Sequence, residues 1–115
     1  MDERRFSKRK PASLFVRFQS IESSDLQYGC FSEDISVDGA RFYSPFRLGR
    51  STRLNVNIDI PNNPEITQVE ADVKWIGKEP FNDEQGNRVF PVGVEFTYLD
   101  NEDKSYLEEF LKEMV

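Results

Sequence analysis

The sequence contains no histidine and a single cysteine, Cys30, among its 115 residues. Histidine is the commonest general base and the commonest transition-metal ligand, so its absence argues against an acid–base enzyme and against a metal centre. A lone cysteine cannot form an intrachain disulfide, and in a strand-like context it is most often a small core residue. We therefore expect a binding protein and not an enzyme.

Long apolar runs are also missing. No stretch approaches the length of a signal peptide or a transmembrane helix. We therefore expect no membrane insertion and a cytoplasmic location. Hydrophobic residues make up 37% of the chain, and ten Phe, four Tyr and one Trp can supply a core. This composition is typical of one globular domain, and the length suffices for one.

Positive charge is scarce except at the N-terminus. Residues 1–11 carry five basic and two acidic side chains, a net charge of +3, in a chain whose net charge is −6. Residues 12–115 therefore carry −9. Such a split indicates an interaction tail, so we expect a flexible basic arm over residues 1–11 and a single domain over residues 12–115. An acidic body lacks the cationic contacts that nucleic acid requires, which favours a small anion as ligand and no nucleic-acid partner.

Alternation of apolar and polar residues predicts six short strands. The alternation is clearest at residues 54–60, where Leu, Val and Ile are separated by Asn and Asp. In the fifth strand it puts Trp75 on the same face as Val69 and Val73. The predicted strands lie within residues 13–19, 28–34, 40–44, 53–60, 69–75 and 92–96.

The apolar spacing changes near the C-terminus, where it predicts an amphipathic helix over about residues 101–114. Six short strands and one helix indicate a mainly all-β fold. We expect a six-stranded antiparallel β-barrel, which hides its strand edges by closure, with the C-terminal α-helix packed against it.

Two short motifs contain residue types that could bind a ligand. Arg5 and Arg9 form an R-x-x-x-R pair on the basic arm, although a solubilising tail would also explain them. Asp34, Ser36 and Gly39 form D-x-S-x-x-G between two predicted strands. A β-turn would explain this second motif, with Asp and Ser bonded to the backbone and Gly at positive φ.

In this order the two motifs resemble the PilZ domain family, bacterial receptors for cyclic di-GMP (c-di-GMP). The resemblance spans almost the whole chain and continues through V-x-W at residues 73–75 and G-V-x-F at residues 93–96. It implies a six-stranded antiparallel barrel with a C-terminal helix, a bacterial source and cyclic di-GMP as the ligand.

The resemblance also implies roles for individual residues. Arg5 and Arg9 would hold the dianion, because a planar guanidinium matches both a phosphate edge and guanine O6/N7. Asp34 would accept hydrogen bonds from guanine N1–H and N2–H₂. Ser36 would donate to a phosphate or sugar oxygen, and Gly39 would let the backbone approach closely.

Arg4 precedes the first motif arginine, at a position that influences stoichiometry in the family. Arg4 adds a guanidinium to those of Arg5 and Arg9, and it could stack on a base. This favours two intercalated ligand molecules per chain. Arg41 could line the same face or be an ordinary surface residue. We expect no metal and no other cofactor.

The flexible basic arm predicts a mechanism as well. Ligand binding would order the arm over the barrel and create a surface for an unidentified downstream protein, with the chain a monomer or weak homodimer. The alternative is a PilZ-like protein-interaction adaptor that binds no nucleotide, since fold alone does not assure the ligand. The presence of both complete motifs argues against that alternative.

Overall fold

The computed structural model describes residues 13–23, 25–61 and 64–113, where the chain forms eight β-strands and one α-helix. The predicted arm at residues 1–11 lies outside them. Every strand pair is antiparallel. The elements are β1 (Phe15–Ser20), β2 (Gln27–Phe31), β3 (Asp34–Ile35), β4 (Gly39–Ser44), β5 (Arg53–Asp59), β6 (Ile66–Ile76), β7 (Phe81–Asn82), β8 (Arg88–Tyr98) and α1 (Asn101–Glu113).

The two edges of the sheet are joined by only two residues. The strand order is β2-β1-β5-β6-β8-β4-β3, and β7 pairs with β8 outside this path. Only Ser32 and Glu33 separate β2 from β3. The Ser32 N–H donates to the Leu14 carbonyl oxygen at 2.9 Å, while the Glu33 N–H donates to that of Arg41 at 2.7 Å. The chain thus passes from one edge to the other, and the sheet curls into a half-barrel.

The predicted architecture is confirmed, but six strands are too few. The predicted strand 28–34 is two strands, β2 and β3, because the chain exchanges β1 for β4 as its neighbour at Ser32–Glu33. The two-residue strand β7 was not predicted, and it pairs with β8 through Phe81 and Val89. Alternation reports which face a side chain takes and carries no information about which strand lies alongside.

Aliphatic side chains fill the inner face of the sheet. In β5, Leu54, Val56 and Ile58 are buried in alternation with polar residues, as the sequence pattern predicts. Leu107 and Leu111 of α1 belong to the same buried cluster, so the helix packs on this face. One core therefore serves the sheet and the helix together.

Helix α1 begins where a capping residue is available. The Asp100 carbonyl oxygen accepts the Lys104 N–H at 2.8 Å, which makes Asp100 the N-cap. Glu102 and Asp103 occupy the first turn, where carboxylates interact favourably with the helix dipole. The expected range of about 101–114 extends one residue beyond the described part of the chain. Among the described residues, no helix has the length and apolarity to cross a membrane.

Trp75 faces the solvent, so its predicted place with the core residues is wrong. Strand β6 pairs Val73 with Val94 of β8 and then Trp75 with Gly93, so that Lys74 is an extra residue. This β-bulge reverses the alternation for the residues that follow it. Trp75 consequently projects from the outer face and is 48% exposed.

We expect Leu54→Ala to lower the free energy of unfolding by about 2–5 kcal/mol, because it leaves a cavity in a fully buried position. Urea denaturation followed by circular dichroism measures the change. The matched control is Asn55→Ala on the same strand, which is exposed and should change stability by less than about 0.5 kcal/mol. Equal losses in both variants would contradict the inward and outward assignment of β5.

Candidate ligand-binding site

Cross-strand pairing places four residues side by side on the outer face of the sheet. Asp34 on β3 pairs with Arg41 on β4, and Arg41 pairs with Gly93 on β8. Gly93 in turn pairs with Trp75 on β6. We call Asp34, Arg41, Gly93 and Trp75 the outer row. It brings a carboxylate, a guanidinium and an indole together from distant parts of the sequence.

An ion pair links the first two members of the outer row. The Arg41 Nε lies 3.2 Å from the Asp34 Oδ2. The Asp34 side chain is only 16% exposed, whereas that of Arg41 is 49% exposed. A charge-assisted hydrogen bond to a largely buried carboxylate is stronger than one in open solvent. The carboxylate predicted to recognise guanine is thus already in contact with a guanidinium of the protein.

Gly93 leaves a notch between Arg41 and Trp75. A Cβ at this position would lie 3.5 Å from the Trp75 Cβ and 3.8 Å from the Arg41 Cγ. The two flanking strands are separated by two inter-strand spacings, about 9–10 Å. A flat group can therefore enter the notch and stack on the indole.

A concavity of about 200 Å³ opens beside the outer row. Its wall is mainly aromatic, and the Tyr43 and Phe81 rings meet edge to face with centroids 4.8 Å apart. Aromatic faces with a few polar groups at the rim suit a planar heterocycle. The lining residues are Glu33, Arg41, Phe42, Tyr43, Trp75, Phe81 and Pro91.

Two titratable groups near the concavity, Tyr43 and Cys30, have a raised pKa. Burial, and then the neighbouring Glu33 carboxylate, raise the pKa of Tyr43, so its phenol keeps its proton and can donate a hydrogen bond to Glu33. Burial also raises the pKa of the Cys30 thiol to about 12. That thiol is protonated at neutral pH, in keeping with a small, partly buried packing residue.

The D-x-S-x-x-G motif forms a tightly bonded turn next to the outer row. The Ser36 Oγ accepts the Asp38 N–H at 3.0 Å, and the Ser36 N–H donates to the Gly39 carbonyl oxygen at 2.9 Å. The Asp38 carbonyl oxygen accepts the Phe96 N–H of β8 at 2.8 Å. Ser36 is 1% exposed, so its oxygen shapes the turn. Donation from Ser36 to a ligand stays a prediction.

Gly39 is required by packing and not by a left-handed backbone. Among the described glycines, only Gly86 has a positive φ, so that part of the turn interpretation is wrong. A Cβ at Gly39 would collide with the Val94 carbonyl oxygen and lie 3.2 Å from its carbon. The absent side chain lets β4 start directly against β8, which is the close approach expected from the sequence.

A family model for the PilZ domain matches residues 3–113. The chain belongs to the PilZ domain family. In this PilZ domain the outer row and the D-x-S-x-x-G turn lie on adjoining parts of the curled sheet. No curated protein sequence is significantly similar to the chain.

Solved structures share the fold of this PilZ domain at low sequence identity. The inhibitor of motility MotI/DgrA of Bacillus subtilis has a TM-score of 0.75 at 22% identity, over 97% of this chain and 52% of that one. The MrkH–c-di-GMP complex of K. pneumonia gives 0.74 at 17%, over 97% and 52%. The chain spans about half the length of these two proteins.

A third structure matches over nearly its full length. The PilZ domain of YcgR from Escherichia coli with c-di-GMP has a TM-score of 0.69 at 15% identity, over 97% of this chain and 95% of that one. Identities this low establish a common fold and leave the ligand of this chain to be argued from its own residues.

The PilZ fold brings together part of the predicted site. Asp34 and Arg41 are in contact, and Ser36 and Gly39 form the turn that supports them. The three arginines predicted on the arm lie outside the described residues; they are Arg4, Arg5 and Arg9. In the described residues, no group of three or more His, Cys, Asp or Glu is placed to hold a metal ion.

The sequence analysis missed Gly93 and Trp75 as members of the site. Trp75 stands in the V-x-W segment and Gly93 in the G-V-x-F segment, and both segments carry the family resemblance. The resemblance was therefore the signal that could have identified the two residues. Alternation concealed it, because only the bulge at Lys74 turns the indole outward.

Gly39→Ala should destabilise the PilZ domain by about 1–3 kcal/mol, since the new methyl group meets backbone that cannot swing away. Thermal unfolding monitored by circular dichroism tests this. Gly49→Ala is the matched control, because the nearest atom to its Cβ is the Thr52 Oγ1 at an ordinary 3.6 Å. If both variants unfold at the wild-type temperature, the packing role of Gly39 is wrong.

Proposed function

We propose that the chain is a receptor for cyclic di-GMP. The observation that supports this most strongly is the outer row, which offers a carboxylate and an exposed indole on a PilZ sheet. PilZ structures of similar fold, those of YcgR and MrkH, were solved with cyclic di-GMP. The proposal is of a receptor and not an enzyme, acting in a bacterial cytoplasm.

The chemistry of the outer row suits guanine. The Asp34 carboxylate can accept from N1–H and N2–H₂ on the Watson–Crick edge, whereas adenine presents an acceptor at N1 and has no amino group at C2. Because the Asp34 side chain is 16% exposed, little water competes for these bonds. The Trp75 indole can stack on a base, an interaction of about 1–3 kcal/mol per base.

The basic arm would supply the charge that a dianion needs. The body carries −9, so the phosphates require the arginines of residues 1–11, with Arg5 and Arg9 in the roles implied by the family motif. Where the arm joins the domain, the Leu14 N–H donates to the Ser32 Oγ at 3.1 Å, two residues before Asp34. The chain between Arg9 and Ser13 spans at most about 14 Å when fully extended. Arg9 therefore stays within reach of the D-x-S-x-x-G turn.

We propose further that binding fixes residues 1–11 over the barrel and that the resulting surface is recognised by an unidentified downstream protein. Ordering of a segment on binding costs conformational entropy, which lowers the net affinity for the ligand. It also creates a bound state whose surface differs from that of the free protein, so that a partner protein can distinguish the two. Arg4, next to Arg5, favours two stacked ligand molecules per chain. In this proposal the chain is a monomer or weak homodimer.

Isothermal titration with cyclic di-GMP should give micromolar or tighter binding that Arg5→Ala/Arg9→Ala abolishes. Each arginine contributes about 1–3 kcal/mol, so single variants should lose on the order of ten- to a hundredfold. Lys8→Ala/Lys10→Ala is the matched control, because it removes the same charge from the same arm and should weaken binding only modestly. GTP and cyclic di-AMP should not bind.

Equal losses in the two double variants would mean that the arm acts through charge alone. No heat and no thermal shift with the wild-type protein would refute the receptor proposal and favour the adaptor that binds no nucleotide.

The same titration tests the stoichiometry. We expect two molecules of cyclic di-GMP per wild-type chain and one per Arg4→Ala chain, since the variant loses the guanidinium that stacks on the second ligand. Sedimentation at saturating ligand separates two ligands per monomer from other assemblies. A wild-type stoichiometry of one would contradict the role of Arg4.

A further inference from the structure

The ion pair of the outer row occupies the side of Asp34 that a ligand would approach. The Asp34 Oδ1 is buried, and the Arg41 Nε contacts the other oxygen, Oδ2, at 3.2 Å. An incoming guanine therefore meets the carboxylate where Arg41 already lies. Guanine presents two adjacent donors, N1–H and N2–H₂, and these can compete with the Arg41 Nε–H for Oδ2.

Arg41 has room to leave this contact without any movement of the backbone. Its side chain is 49% exposed, and its neighbour on β8, Gly93, has no side chain to confine it. Arg41 lines the concavity of about 200 Å³, and Trp75 is another of its lining residues. The guanidinium can thus move from Asp34 towards the aromatic wall, where a cation over an aromatic face is favourable.

We infer that Arg41 sets the affinity of the site by competing with the ligand for Asp34. The inference rests on the proposed binding of cyclic di-GMP. The Asp34–Arg41 contact stabilises the free protein and must be broken on binding, so its free energy is subtracted from that of the complex. Arg41 is then an internal substitute for the guanine donors. A direct ligand contact by Arg41 would have the opposite effect on affinity.

Arg41→Met separates the two roles, because methionine keeps an unbranched stem and has neither charge nor hydrogen-bond donor. We expect it to bind cyclic di-GMP about two- to fivefold more tightly than wild type, as the loss of a partly exposed ion pair allows. Arg53→Met is the matched control, since Arg53 forms a comparable ion pair with Asp72 on β5 and β6, at 3.7 Å. The control should bind as wild type does.

The outcomes for affinity are distinct. Weaker or unchanged binding by Arg41→Met overturns the inference and leaves the receptor proposal intact. Binding by the variant alone would support the inference strongly, and binding by neither protein would overturn both proposals. Arg41→Ala is a second variant with the same expected sign, should the methionine variant not fold by circular dichroism.

A direct readout is the ¹H–¹⁵N signal of the Arg41 Nε–H, identified by its absence from the Arg41→Met spectrum. In the free protein it should differ from the signal in Asp34→Asn, where the ion pair is lost. Saturation of the wild type with cyclic di-GMP should move the signal towards the Asp34→Asn position. A signal that the ligand leaves in place would overturn the inference, whatever the affinities.

Discussion

A pair of hydrogen bonds between Leu14 and Ser32 constrains the point at which the sheet curls. The Ser32 N–H donates to the Leu14 carbonyl oxygen, and the Leu14 N–H donates to the Ser32 Oγ. These bonds hold the start of β1 against the point where the chain turns from one sheet edge to the other. Leu14, close to the start of the described chain, consequently lies beside the turn that leads to Asp34. The curled sheet and the position of the candidate site have one common cause.

Ser32 also illustrates how this fold satisfies backbone groups where its sheet bends. All the buried polar residues in the described part of the chain are serines, and each bonds to backbone near a strand end. A serine hydroxyl is small and can serve backbone N–H groups that a bend has removed from the ladder. The serine hydroxyls thereby satisfy backbone N–H groups at these corners. These serines are Ser20, Ser32, Ser36 and Ser44.

The sequence predicted most of the fold because alternation and helical spacing are local, and β5 and α1 obey them closely. What it did not predict depends on pairing between distant strands. The exchange of neighbours at Ser32–Glu33 divided one predicted strand into two, and the bulge at Lys74 reversed the face of Trp75. The residues of the candidate site also divide into those that a local motif identifies and those that depend on strand pairing. Asp34 was identifiable from a motif of six residues, whereas the place of Gly93 beside Arg41 is set by the register of β8 on β4.

The bulge at Lys74 has a spectroscopic consequence. Trp75 is the only tryptophan in the chain, and the extra residue places its indole half exposed in the outer row instead of in the core. Tryptophan emission from this protein therefore originates at the candidate site alone and carries no signal from the buried interior. A purine that stacks on the indole would alter that emission directly. The fold thus contains its own optical reporter of occupancy, with no label attached.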